Sequence, residues 1–369
     1  MIEGKVSGLL DEAVATGLET PALVVDLDRV DARIAAMAAV MRECGVALRP
    51  HVKTHKSLEI ARRQVDAGAS GLTVATIGEA EVFADGGFED LFIAYPVIAL
   101  GPKAERLRRL AERCALTIGA DSVVGLEALA AAVRGSATRL RVLVEVDSGG
   151  RRTGVAPALA GRLARRAVGL GLDIGGAFTH EGHGYRAVDA RPVAANDAIA
   201  GLAEAAESLR AEGIEPAVLS AGSTPTAGFS ARGVVTEERP GTYVFGDRLQ
   251  AALAGDPVEE AALMVATTVV SRGAGDGFVI DAGAKILAQD VSPLIPGHGA
   301  ILGYPDAVIE RLNDHHGVVD LPAGAARPAV GSIVWVVPNH VCPVVNLVDE
   351  FVVAQGGQMI GRSPVDARG

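Results

Sequence analysis

Six short stretches concentrate the side chains that can do chemistry. Arg49-Pro50-His51-Val52-Lys53-Thr54-His55-Lys56 sets two amines among two imidazoles and a guanidinium. An amine that is partly desolvated beside other cations is a nucleophile able to bond a carbonyl carbon as a Schiff base; a solvated basic loop is the ordinary alternative. Asp147-Ser148-Gly149-Gly150-Arg151-Arg152-Thr153-Gly154 is a flexible turn presenting guanidinium groups, and Thr179-His180-Glu181-Gly182-His183-Gly184-Tyr185 places two histidines and a tyrosine around glycines. Those glycines argue for a loop, so stacking or proton transfer is favoured there over a helical metal pair. Ser220-Ala221-Gly222-Ser223-Thr224-Pro225-Thr226 offers backbone N–H groups and hydroxyls, an anion cradle suited to phosphate, although such a turn is often only a turn. Glu237-Glu238-Arg239-Pro240-Gly241-Thr242-Tyr243 follows it. An amine nucleophile and a phosphate cradle together imply a phosphorylated carbonyl cofactor, which pyridoxal 5′-phosphate fits.

The sixth stretch is Pro338-Asn339-His340-Val341-Cys342-Pro343. On an extended segment, residues two apart share a face. Imidazole and thiolate would then face a divalent metal such as zinc together, with the remaining positions open to water or substrate. A buried cysteine beside a capped histidine is the ordinary alternative. His315-His316-Gly317 and Asp281-Ala282-Gly283-Ala284-Lys285 are weaker signals of the same kind.

Short β-rich runs separated by Ala/Leu/Arg-rich helical stretches must position these groups, the alternation expected of βα units around a parallel sheet. The runs are 22–27, 46–51, 71–75, 91–95, 115–119, 141–147, 173–180, 217–222 and 242–247. The last eight form the better-spaced series. They predict a (β/α)8 TIM-type barrel over residues 25–250, close to the typical barrel length of about 250 residues. Chemistry in such barrels sits at the C-terminal ends of strands, where most of these stretches fall. Beyond 250, strand-like AALMVATTVVSR, DGFVIDAG, GSIVWVVPNH and DEFVVAQGG are joined by Gly/Pro-rich turns. Residues 251–369, with 1–24, are therefore expected to form a mostly antiparallel β domain carrying the His340 and Cys342 pair.

The chain's 369 residues carry 34 Lys+Arg against 45 Asp+Glu, a net charge of −11 that offers no basis for nucleic-acid binding. Hydrophobic residues make up 49%, but aromatics only 4%, so the core must be aliphatic. No apolar run reaches the roughly 18 residues of a membrane span. The N-terminal MIEGKVSGLLDEAVATG lacks the layout of a signal peptide, so a cytoplasmic location with no membrane partner is expected. Three cysteines, widely spaced and odd in number, do not make a disulfide framework.

Taken in order, RPHVKTHK, DSGGRRTGV, FTHEGHGY, SAGSTPT, ERPGTYVFGD, DAGAK and PNHVCPVVN resemble the D-threonine aldolase and D-serine dehydratase family, relatives of the alanine racemase-type, fold-type III pyridoxal-phosphate enzymes. The resemblance covers essentially the whole chain and is specific in combination. It implies that Lys53 is the Schiff-base lysine and that Lys56 does not hold the cofactor. It further implies that Arg152 hydrogen-bonds the pyridine 3-hydroxyl and that His180 packs against the ring, with Tyr185 nearby. Gly222, Ser223, Thr224, Gly241 and Thr242 take phosphate-binding positions. Arg239 stands where racemases approach the pyridine nitrogen, although this branch can use another partner. His340 and Cys342 match the metal ligands, for zinc or manganese, and His183 a candidate base.

The implied enzyme is a metal-dependent lyase of D-β-hydroxy-α-amino acids. If His183 takes the hydroxyl proton it is an aldolase, giving glycine and an aldehyde. If Lys53 takes the α-proton it is a dehydratase acting on D-serine or D-threo-3-hydroxyaspartate, giving keto acid and ammonia. Family aldolases more often carry H-x-D at the metal pair and dehydratases H-x-C, whereas the motif set as a whole resembles the aldolases. A homodimer is implied as well. An amino acid racemase would need a second acid/base and no metal, and a cofactor-carrier protein would lack the residues after 250.

Overall fold

A computed structural model describes residues 17–136, 138, 140–273 and 275–368; residues 1–16, most of the expected N-terminal share of the β domain and of the segment judged for a signal peptide, lie outside the described residues. Two compact units emerge. Of the described residues, one holds Ala35–Lys53 and Leu58–Gly241; the other holds those up to Ile34, Thr54–Ser57 and Thr242–Arg368.

The first unit is the expected parallel sheet of eight strands. They are β2 (Ala47–Leu48), β3 (Leu72–Val74), β4 (Asp90–Pro96), β5 (Ala115–Ala120), β6 (Arg141–Glu145), β7 (Asp173–Phe178), β8 (Val218–Ala221) and β9 (Glu237–Glu238), β1 (Ala22–Asp26) belonging to the other unit. They run in the order β2-β9-β8-β7-β6-β5-β4-β3, every pair parallel. The two ends meet through a single His51–Thr73 bridge, with the Thr73 N–H donating to the Pro50 carbonyl at 2.9 Å, so the sheet curls back on itself. Helices alternate with the strands for local reasons. Thr76 accepts from the Glu79 N–H at 2.9 Å at the head of Ile77–Asp85, and Ser122 from the Gly125 N–H at 3.2 Å at the head of Val123–Ala132. Each satisfies an orphan donor of a first turn.

Inside the barrel, Phe92, Leu143 and Phe178 form a buried cluster, and the two rings stand edge to face with centroids 5.1 Å apart. The buried Arg239 guanidinium lies over both, 5.2 Å from Phe178 and 5.7 Å from Phe92. The interior is a packed plug of side chains.

The eighth strand corrects the sequence reading. Residues 242–247 are not a strand: Thr242–Val244 is a 3-10 turn, and β9 is the pair Glu237–Glu238. Pro240 has no N–H to donate, so it ends the ladder just after Glu238. The two glutamates are held in the barrel by partners that are not apparent from hydropathy: Ser220 and Arg49 for Glu237, Ser230 for Glu238.

The second unit is a mostly antiparallel sheet of nine strands. β1 (Ala22–Asp26) pairs antiparallel with β10 (Leu263–Ser271) and parallel with β16 (Glu350–Gln355), and β15 (Ile333–Pro338) pairs antiparallel with β10. Val24, Met264, Ala266, Trp335, Val337, Val352 and Ala354 share its core. All four strand-like runs of the sequence are strands here.

Candidate active site

Lys53 lies in the 3-10 turn Val52–Thr54 that follows β2, where the polypeptide leaves the barrel unit. Its side chain is partly exposed, and its N–H donates to His51 Nδ1 at 3.4 Å. Lys56 is different: it is buried, has φ 51°, and donates from Nζ to the Ala367 carbonyl at 3.2 Å.

His180 follows β7 and donates from Nδ1 to the Gly222 carbonyl at 3.0 Å. A carbonyl only accepts, so the proton sits on Nδ1 and Nε2 carries the lone pair. Burial, then the positive charge of Lys53 and more weakly of Arg152 and Arg239, lowers the ring's pKa to about 3. The same charges show that Lys53, Arg152 and Arg239 gather around this one neutral imidazole. Arg152 projects from the turn after β6, which is shaped by Asp147 Oδ1 accepting from the N–H groups of Gly149 and Arg151.

Gly222 adopts φ +135°, and a Cβ there would lie 2.9 Å from Glu238 Oε2, so the turn after β8 requires glycine. Ser223 and Thr226 exchange a hydroxyl hydrogen bond at 2.7 Å below it. Thr224 is partly exposed and Gly241 buried. An amine, a neutral ring and a glycine-serine-threonine turn within one unit fit a phosphorylated pyridine aldehyde.

Arg239 spends donors on protein acceptors: Nη1 on Ser220 Oγ and the Ala221 carbonyl, Nη2 on the Thr179 carbonyl at 2.6 Å. Buried acids face it. Glu181 accepts from the Thr226 hydroxyl and, at 3.3 Å, from the Gly222 N–H. Glu238 keeps one buried oxygen without a partner, as does Glu145 at the end of β6. Burial raises all three carboxyls, Glu238 furthest because Glu181 adds like charge. Glu181 and Glu238 lie in quoted stretches and Glu145 in the run 141–147, but their burial could not be read from residue type.

His183 sits in the 3-10 turn Gly182–Tyr185, with Tyr185 partly buried beside it. Its Nε2 is 3.1 Å from Asp197 Oδ2, while Nδ1 is buried without a partner.

In the second unit, His340 and Cys342 are in hydrogen-bond contact. The segment is not extended through Cys342, as the sequence reading required. His340 alone is extended (φ −143°, ψ 114°), capping the short helix Val341–Val345 that contains Cys342. Asp247 Oδ2 accepts the Val341 N–H at 3.2 Å and so favours the turn. Burial lowers the His340 pKa, but the hydrogen bond and charge of Cys342, with help from Asp247 and Asp290, outweigh it and bring it to about 9. An imidazole and a thiol in contact are a nitrogen–sulfur donor set that fits a thiophilic divalent metal. Among the described residues, no three His, Cys, Asp or Glu side chains converge on a metal position. The Cys342 thiol also lies 3.3 Å from the Thr54 hydroxyl and 3.8 Å from that of Thr242. His315 approaches Lys285 at 3.4 Å on the surface of this unit, and Asp281 is held by Thr20, Thr267 and the Thr268 N–H; neither group touches His340 or Cys342 through these bonds.

Comparison with known proteins bears on the whole chain. Residues 25–249 match the family model of the alanine racemase N-terminal domain, and residues 262–354 that of a serine dehydratase domain. D-threo-3-hydroxyaspartate dehydratase of Delftia sp. is 37% identical over 88% of this chain and 91% of its own. D-threonine aldolase of Arthrobacter sp. is 36% identical over 95% and 93%. The solved Delftia dehydratase superposes with a TM-score of 0.87 at 34% identity, covering 94% of this chain and 97% of the other. A cysteine-to-alanine mutant of D-threo-3-hydroxyaspartate dehydratase, solved in a metal-free form, gives 0.85 at 34% identity with the same coverage.

Proposed function

This chain belongs to the alanine racemase-like family of pyridoxal-phosphate lyases that includes D-threonine aldolase and D-threo-3-hydroxyaspartate dehydratase, and from that membership we propose that it is a D-threonine aldolase-type lyase, splitting D-threonine into glycine and acetaldehyde. When bound, pyridoxal phosphate supplies an electron sink for the pair released at Cα, and a divalent metal, zinc or manganese, would polarise the substrate's β-hydroxyl.

The chain's own residues have distinct tasks in this reading. Lys53 bonds the cofactor's aldehyde carbon. Arg152 donates to its 3-hydroxyl, His180 packs its neutral ring against the pyridine, and Tyr185 lines the same mouth. Gly222, Ser223, Thr224, Gly241 and Thr242 hold the phosphate, with Arg239 fixed behind the ring by its protein acceptors. His340 and Cys342 hold the metal, and His183 receives the hydroxyl proton. The observation that carries the aldolase reading is the buried, unpaired His183 Nδ1, a lone pair that needs a donor.

The His340 and Cys342 pair favours a second reading, a dehydratase in which Lys53 removes the α-proton. Incubation with D-threonine and D-threo-3-hydroxyaspartate decides between them. Glycine plus aldehyde supports the aldolase; keto acid plus ammonia from either substrate overturns it in favour of the dehydratase. A cytoplasmic homodimer completes the proposal, and sedimentation of the purified protein as a monomer would remove that part.

A further inference from the structure

We propose that Asp197 is a positioning residue that fixes the tautomer of His183, making Nδ1 the nitrogen that accepts the substrate's proton; this rests on the aldolase reading above. His183 is offered two kinds of partner. On its outer side, Nε2 faces Asp197 Oδ2 at 3.1 Å, from the helix Ala190–Ala211. A carboxylate can only accept, so Nε2 must carry the hydrogen and, in the neutral ring, Nδ1 must carry the lone pair. On the inner side, Nδ1 is shielded from solvent and meets no donor. Leaving such an atom unmatched is costly, and a hydroxyl brought by a substrate would supply the missing donor.

The ring has little freedom to do otherwise. A Cβ at Gly184 would lie 2.7 Å from Thr226 Cγ2 and 3.3 Å from Ala194 Cβ, so glycine lets this turn pack onto the helix that carries Asp197. A Cβ at Gly149 would lie 3.2 Å from His183 Cε1 and 3.6 Å from Nδ1, so the turn presenting Arg152 passes directly over the ring. The imidazole is held from two sides, and the carboxylate selects which nitrogen is basic.

The step balances. The hydroxyl O–H bond breaks as Nδ1–H forms. The pair left on oxygen becomes the second bond of the aldehyde carbonyl, and the pair of the broken Cα–Cβ bond stays on Cα. The ring becomes an imidazolium between the product and the carboxylate of Asp197, whose negative charge opposes the cost of that charge. With its side chain about half exposed, Asp197 contributes a solvent-screened interaction, and its main effect is orientational.

The test is side-chain nitrogen NMR of the histidine-labelled holoenzyme, with the His183 signals identified by their loss in H183Q. The expected spectrum shows His183 protonated on Nε2 and bare on Nδ1. D197A should blend the two tautomers and lower kcat about 10-fold with KM within about twofold. A wild-type signal protonated on Nδ1, or a D197A enzyme with unchanged tautomer and kcat, overturns the proposal. Should the wild-type enzyme yield no aldehyde from any D-3-hydroxy amino acid, the aldolase reading fails, while the tautomer spectrum still decides the role of Asp197.

Discussion

His180 Nδ1 donates to the Gly222 carbonyl at 3.0 Å, and this bond joins the histidine proposed to stack on the cofactor to the turn proposed to hold its phosphate. The two groups reach the barrel mouth on adjacent strands, β7 and β8. Burial of the ring and the nearby charge of Lys53, more weakly of Arg152 and Arg239, keep it neutral against the pull of this bond.

The first prediction follows from that neutrality. The folded-state pKa of His180, about 3, lies below the unfolded value of about 6.5. Between these limits the unfolded chain binds the extra proton, so stability falls as pH falls through this window, by at most about 1.4 kcal/mol per pH unit from this group. Urea unfolding of the apoprotein from pH 7 to 4 should show a shallower loss in His180→Gln than in wild type. Parallel curves would mean that His180 titrates normally.

The two lysines of VKTHK should separate cleanly. Lys53→Ala is expected to abolish the visible absorbance of the bound cofactor. Lys56→Ala should keep the band but lose about 1–3 kcal/mol of stability, because the Ala367 carbonyl forfeits its buried donor. A visible cofactor band persisting in the Lys53 variant after dialysis would refute the assignment.

Much of this was legible in the sequence because parallel strands buried on both faces read as apolar runs and their mouths read as polar endings. The eighth strand escaped because β9 is Glu237–Glu238, an acidic pair held by Ser220, Arg49 and Ser230 from elsewhere in the chain. Cys342 was read onto an extended segment but lies in a helical turn, since the capping effect of Asp247 on Val341 spans 94 residues. Asp197 gave no signal at all. It is one polar residue on a long helix, and only the packing of Gly184 against that helix gives it a histidine to hold.

Metal retention should depend on sulfur. Cys342→Ala removes the soft donor of a two-residue pair, leaving His340 with Asp290 Oδ1 at 3.4 Å as its remaining acidic neighbour by hydrogen bond. We expect bound zinc or manganese, measured by elemental analysis after gel filtration, to fall by more than 10-fold. The visible absorbance of the cofactor should persist. Wild-type metal content in this variant would exclude Cys342 as a ligand.

Arg239 provides the sharpest stability test, since its burial is a liability that only its surroundings resolve. The guanidinium is desolvated, which alone disfavours its charge, and is surrounded by Glu237, Glu181, Glu238 and Glu145. Its Nη1 and Nη2 also serve the Ala221 and Thr179 carbonyls. In Arg239→Met, the apolar stem can still pack between Phe92 and Phe178, but the buried carboxyls lose their shared cation. Breaking such a network costs about 3–5 kcal/mol, and the carboxyls should respond by taking up protons. Two measurements are therefore expected to move together: thermal unfolding should fall by several degrees at pH 8, and the loss should shrink as pH is lowered toward 5, where protonation relieves the unpaired acids. A variant equally destabilised at both pH values would show that Arg239 acts through its hydrogen bonds and ring contacts, with no electrostatic role toward the glutamates.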